Sequence, residues 1–237
     1  MNGGDQQLRY GILSGRKTQF YEIGVFLFLI VPSMALSFFA VKKGVLSFTL
    51  MAWATILRDL ALVSLIFYFL WRNGESIRHL GWAFKNIWKD IGIGIVLFFP
   101  FYFGTSWLEK GLHAIGFSAP ATPLPSYLTA EDIPQILLAF ILVAVVAVAE
   151  EIIFRGYLIL RFKTLSNSRV VAVVLAALIF SLGHGYEGSA GVITVGIIGA
   201  LFGIIYLRRQ SLIPTMVIHF LLDFISIVFL PVMIQLK

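Results

Sequence analysis

Long apolar stretches separated by short polar segments dominate the chain. An α-helix rises about 1.5 Å per residue, so about 20 apolar residues cross the roughly 30 Å hydrocarbon core of a bilayer. The pattern therefore predicts an all-α polytopic membrane protein with about seven transmembrane helices and no separate soluble domain. The predicted spans are residues 21–41, 46–71, 88–108, 133–162, 169–184, 188–207 and 212–233.

Composition supports lipid as the main solvent. Apolar residues make up 59% of the chain and charged residues 13%, whereas a soluble domain is about a quarter charged. No small-residue cleavage site follows the first apolar stretch, so we expect a retained span rather than a signal peptide. Cysteine is absent, which excludes disulfides, thiolate metal ligands and a cysteine nucleophile.

The distribution of Lys and Arg predicts the orientation in the cell membrane. Basic residues are concentrated in alternate connections, which are expected to be cytoplasmic by the positive-inside rule. The N-terminus is therefore predicted inside and the C-terminus outside. This topology explains the net charge of +6 without a nucleic-acid partner. The predicted cytoplasmic set is Arg9, Arg16, Lys17, Arg72, Arg78, Lys85, Lys89, Arg161, Lys163, Arg169, Arg208 and Arg209, against Lys42, Lys43, Lys110 and Lys237 outside.

The segment 73–89 interrupts the apolar pattern between the second and third spans. It spaces large apolar residues, Trp82 and Trp88 among them, between basic side chains. Tryptophan favours the headgroup region of a bilayer. We therefore predict a helix or turn lying in the membrane interface.

Ionisable groups inside spans are costly and usually functional. Three motifs of this kind occur in the C-terminal half, and the paired residues within each are four apart and so share a helix face. The motifs are Glu150-Glu151 with Arg155, Phe180 with His184, and His219 with Asp223.

Helix rise also predicts how deep these groups lie. Counted from the predicted cytoplasmic ends, Glu150 lies roughly 20 Å deep, His184 roughly 22 Å, His219 roughly 15 Å and Asp223 roughly 21 Å. A carboxylate and two imidazoles in one layer can activate water as a general base or by holding a metal. Glu151 and Arg155 are spaced for an ion pair, which would leave Glu150 free.

Together the motifs resemble those of the CPBP family of intramembrane proteases, which includes CAAX proteases and bacteriocin-processing (Abi) enzymes. The resemblance covers roughly residues 133–233, which would form the catalytic core behind N-terminal helices at 21–108. It implies a peptidase in which Glu150 and His184 activate water and His219 and Asp223 stabilise the oxyanion. Glu151, Arg155 and Phe180 would support the site. The implied substrate is a hydrophobic membrane-associated peptide or protein segment.

Asp223 departs from the Asn that eukaryotic CAAX proteases carry at this position. An ionised Asp accepts hydrogen bonds only, so Asp223 is either protonated or orients His219 instead of contacting substrate. The departure also argues against a strict CAAX substrate. Glu150, His184 and His219 match a catalytic zinc site in residue type, but the same residues suit a metal-free glutamate protease, and both mechanisms stay open.

Two other classes compete with a protease of this kind. A proton-coupled transporter would use membrane carboxylates and histidines, and Arg58 and Asp59 in the second span suit it, although a structural pairing with neighbouring helices is the simpler interpretation. No internal repeat typical of such transporters occurs. A catalytically silent, partner-binding scaffold is the second alternative. The H-E-x-x-H and G-x-S-x-G motifs of other proteases are absent from the sequence.

Overall fold

The structure is a computed structural model that describes residues 15–40, 47–82, 86–119 and 130–235, all of it helices, turns and connections without a strand. Arg9, Lys42, Lys43, Lys85 and Lys237 of the predicted topology, with the predicted span limits at residues 41 and 46, lie outside these ranges. The helices are α1 (Arg16–Ala40), α2 (Phe48–Arg72), α3 (Ile87–Ala114), α4 (Ile133–Ser166), α5 (Arg169–Leu182), α6 (Gly188–Arg209) and α7 (residues 213–235).

The predicted membrane fold is confirmed. Six described helices are long and apolar enough to cross a bilayer, and only α5 is shorter, with 14 residues. At about 1.5 Å per residue, α5 extends about 21 Å, which is less than the hydrocarbon thickness. A short 3₁₀ helix, Ile77–Leu80, lies in the segment between α2 and α3.

Local sequence signals set the ends of the helices near the motifs. Asp132 caps α4 by accepting a hydrogen bond from the Gln135 amide at 2.8 Å, and Pro134 stands in the first turn, where a missing amide costs nothing. Ser168 caps α5 through the Val171 amide at 3.3 Å. Asn167, with φ of 55°, ends α4 in the left-handed region.

Two helices change their winding directly beside the polar motifs. In α4 the α-helical segment Ile133–Glu150 is followed by a π-helix, Glu151–Leu158. In α7 the segment Ile213–Asp223 is followed by a π-helix, Phe224–Phe229. π-Helical insertions are rare and often mark functional sites. Each π-helix here begins immediately after an acidic residue of a motif.

The main apolar core surrounds the π-helix of α4. Its buried members come from both halves of the chain: Phe26 from α1, Ile66 from α2, Phe154 and Tyr157 from α4, and Phe180 from α5. Aromatic rings stack through this region, with Tyr157 5.2 Å from Phe26 between centroids. Helices α1 and α2 therefore hold α4 from one side while α5 holds it from another.

An ion-pair network ties α1, α2 and α4 together. Arg161, predicted as a loop cation, is 1% exposed. It contacts both carboxylate oxygens of Glu75 at 2.9 Å and lies 3.7 Å from Glu22. Arg72 also contacts Glu22, at 2.5 Å. A buried charge needs a partner, and Glu75 and Glu22 provide it for Arg161.

Helix α3 approaches α7 closely at Gly94. A Cβ atom at this position would lie 2.7 Å from Val217 Cβ and 2.9 Å from the Pro214 carbonyl oxygen. We expect Gly94→Ala to lower the free energy of unfolding by about 1–3 kcal/mol through overpacking. Thermal unfolding in detergent measures it. Gly92→Ala is the matched control, since a Cβ there meets nothing within 4 Å; equal melting temperatures for the two variants would contradict the tight α3–α7 contact.

Candidate active site

His219 on α7 lies at the centre of a cluster of carboxylates. Its Nε2 is 3.8 Å from Glu150 Oε2 and 3.4 Å from Asp223 Oδ2. On the other side of the ring, Nδ1 is 3.1 Å from Glu151 Oε1. The imidazole can donate to carboxylates on both sides only when both nitrogens carry a proton. Helices α4 and α7 thus meet in one buried site.

The predicted Glu151–Arg155 ion pair is present and fully enclosed. Arg155 Nη1 donates to Glu151 Oε1 at 2.8 Å, with the side chains 2% and 0% exposed. The guanidinium lies between two aromatic rings, 4.4 Å from the Phe180 centroid and 5.0 Å from that of Phe202. Cation–π contacts of this kind strengthen when desolvated. Glu151 therefore links Arg155 to His219, a connection that the sequence analysis did not predict.

His184 lies beyond the helix on which it was predicted. Helix α5 ends at Leu182, and His184 occupies the turn that follows. Its Nδ1 is 3.2 Å from the Phe180 carbonyl oxygen, and its ring centroid is 4.9 Å from that of Phe180. The helix ends because Gly183 and Gly185 flank the histidine and weaken helical winding. The ring is consequently held by the end of the helix and not by its face.

The Phe180 ring lies next to both histidines. Its ring centroid is 6.1 Å from that of His219 and 4.9 Å from that of His184. In the described structure no hydrogen bond or ion pair joins His184 to Glu150. Glu150 and His219 therefore lie close to each other. His184 is related to this pair through the Phe180 ring, which lies next to both histidines.

The donor set does not form a metal site. Among the residues that the structure describes, no three His, Asp or Glu side chains are grouped so as to hold a metal ion. Glu150, His184 and His219, the zinc candidates of the sequence analysis, are therefore not arranged as three ligands of one ion. We accordingly assign no chemical step to a metal.

Asp223 adopts the orienting arrangement considered above. Its Oδ2 lies 3.4 Å from His219 Nε2, and the two residues are one helical turn apart. A carboxylate in contact with an imidazole fixes the orientation of the ring.

Helix α2 also reaches the site. A cavity between α1, α2 and α4 is lined by Ser33, Arg58, Asp59 and Glu150, among other residues. It offers about 20 Å³ to water centres, which is room for one water molecule. Arg58 and Asp59 pair with each other, at 2.8 Å between Nη2 and Oδ1, and among the described residues neither forms an ion pair with a neighbouring helix. Their charge within a span was visible in the sequence, but their proximity to Glu150 was not.

These features define a polytopic membrane protein with a buried carboxylate–histidine site. Residues 132–225 match the family model described as type II CAAX prenyl endopeptidase Rce1-like. This segment contains all three polar motifs, so the resemblance to CAAX and CPBP proteases is confirmed for this part of the chain. No curated protein and no solved structure matches the chain.

Proposed function

We propose that this protein is an intramembrane endopeptidase that uses Glu150 as the general base. The observation that supports this most strongly is the approach of Glu150 to His219, 3.8 Å apart, inside the segment that matches an endopeptidase family. Two separate helices supply these groups. Charged groups at such depth are costly unless they serve a purpose.

The proposed reaction is a direct hydrolysis. Glu150 takes a proton from water while the water oxygen bonds to the carbonyl carbon of the scissile peptide, which produces a tetrahedral oxyanion. Collapse of this intermediate breaks the C–N bond, and the proton held by Glu150 passes to the leaving amine. A positioned general base of this kind contributes about 10²–10⁴-fold to the rate.

His184 is suited to assist with this proton. Its Nδ1 faces the Phe180 carbonyl oxygen at 3.2 Å, so in the neutral ring Nδ1 is the protonated nitrogen. Nε2 then has a free lone pair and can accept a hydrogen bond from the attacking water. We assign His184 as the second water-activating residue, next to Glu150.

His219 and the groups around it set the charge distribution of the site. Glu151 holds one edge of the His219 ring at 3.1 Å, and Asp223 lies 3.4 Å from the other. In turn Arg155 fixes Glu151. We propose that His219, protonated at both nitrogens, stabilises the developing oxyanion through its positive charge, with Asp223 orienting the ring.

The substrate would be a hydrophobic, membrane-associated peptide or protein segment, because the site lies within helices that span the bilayer. We propose that the N-terminus is cytoplasmic and the C-terminus outside, from the arrangement of exposed basic residues such as Lys89 and Arg208.

Metal chelation tests the mechanism. Since no three-ligand group occurs in the described residues, we expect cleavage of a quenched fluorescent membrane peptide by the purified protein in mild detergent to survive excess chelator. Metal analysis should give well below one zinc per chain. His184→Ala should reduce cleavage without changing the metal content.

Two other results would contradict this mechanism. Stoichiometric zinc that disappears in His184→Ala, together with loss of cleavage on chelation and its return with added zinc, would replace the metal-free mechanism with a metalloprotease. Absence of cleavage of every membrane peptide tested would favour the partner-binding scaffold.

A further inference from the structure

The site described above has few hydrogen-bond donors for an oxyanion. Asp223 supplies none when ionised. His219 faces carboxylates with both ring nitrogens. Arg155 is 1% exposed and enclosed between two aromatic rings, so substrate cannot reach it.

Arg58 on α2 differs from these donors. Its Nε and Nη2 face Asp59 Oδ1, at 2.9 Å and 2.8 Å. Its remaining terminal nitrogen, Nη1, makes no hydrogen bond to any residue that the structure describes. The Arg58 side chain is 46% exposed, while that of Asp59 is 1% exposed. Asp59 therefore anchors one edge of the guanidinium and leaves the other edge available.

Arg58 also lies next to the proposed general base. It lines the same water-sized cavity as Glu150. Arg58 is ten residues after Phe48 and fourteen before Arg72, so it lies about 15 Å and about 21 Å from the two ends of α2. An arginine in mid-span is costly and generally functional, and a rigid fork of donors suits a developing negative charge.

We propose that Arg58 is a catalytic residue that donates hydrogen bonds to the oxyanion formed when Glu150-activated water attacks the peptide carbonyl, with Asp59 as its positioning residue. This inference rests on the proposed function. In the proposed arrangement Glu150 delivers the water from α4, and the carbonyl oxygen that gains charge faces the guanidinium from α2. Helix α2 thereby becomes part of the active site.

The chain offers a matched control for this role. Arg72 lies on the same helix, is 40% exposed, and pairs with Glu22, which is 2% exposed, much as Arg58 pairs with Asp59. Arg72 is remote from the cavity lining. Arg58→Gln and Arg72→Gln therefore remove the same charge from similar ion pairs, and only the first removes a donor from the cavity.

The test is steady-state cleavage of the quenched membrane peptide by folded protein, with melting temperatures measured in parallel. We expect Arg58→Gln to lower kcat about 10²–10³-fold, the loss typical of one oxyanion donor, with KM changed less than about threefold. Arg58→Lys should recover part of the loss because it keeps the charge but not the fork. Arg72→Gln should change the melting temperature by as much as Arg58→Gln does, and it should retain the kcat of wild type.

Other outcomes separate the two proposals. If Glu150-dependent cleavage is unaffected by Arg58→Gln, or if only KM rises, Arg58 is not the oxyanion donor and this inference fails alone. An equal loss of kcat in Arg72→Gln would likewise reduce Arg58 to a structural role. If wild type does not cleave the peptide, or if Glu150→Gln cleaves it as fast as wild type, the proposed function fails and the inference fails with it.

Discussion

Glu150→Gln is expected to abolish peptide cleavage while leaving the protein folded. Glutamine retains the shape and polarity of the side chain but cannot take the proton of the attacking water. Glu150 makes no ion pair with an arginine or lysine in the described structure, and its contact with His219 is long, at 3.8 Å. Its loss should therefore affect chemistry more than stability. The expected decrease in kcat is at least about 10²–10⁴-fold.

The measurement is initial-rate cleavage at saturating peptide, normalised to folded protein from size-exclusion chromatography. Glu109→Gln is the control, because it removes a partly buried carboxylate from α3 without touching the site. Full activity in Glu109→Gln with none in Glu150→Gln would support the assignment. Retained cleavage in Glu150→Gln would refute it, and a loss of folded protein would show that Glu150 supports the structure instead.

Much of the fold follows directly from the sequence because lipid imposes a simple rule. Every backbone amide must be satisfied inside the span, so a long apolar stretch has to be a helix. The Glu151–Arg155 pair was equally predictable, because four-residue spacing joins the two side chains whether the winding is α or π. Depth counted along the helices also predicted that Glu150 and His219 lie in one layer, which the structure places 3.8 Å apart.

The remaining features depend on packing, which no local pattern encodes. The π-helices after Glu150 and Asp223 change which side chains face one another. His184 was assigned to a helix face, yet glycine on both sides ends the helix before it. Arg161 has the sequence pattern of a loop cation, and its burial depends on Glu22 and Glu75 from two distant segments.

The largest expected effect on stability is that of Arg155→Met. Methionine fills a similar volume between Phe180 and Phe202, but it removes the cation that compensates Glu151, whose side chain is 0% exposed. Removing one partner of a buried ion pair typically costs about 3–5 kcal/mol because the other charge is left uncompensated. We expect a large fall in melting temperature and in folded yield. Thermal unfolding in detergent measures the melting temperature, and size-exclusion chromatography measures the folded yield. Arg208→Met, at an exposed position on α6, is the control.

Addition of Glu151→Gln to Arg155→Met distinguishes this explanation from simple loss of packing. If uncompensated charge is the cause, the double variant is more stable than Arg155→Met alone, because the buried carboxylate is gone. Cleavage should not return with stability, since Glu151 also holds His219 at 3.1 Å. Additive losses in the double variant would assign the effect to packing against the two aromatic rings. Recovery of both stability and cleavage would show that His219 needs no support from Glu151, so that the Arg155–Glu151–His219 chain serves the fold alone.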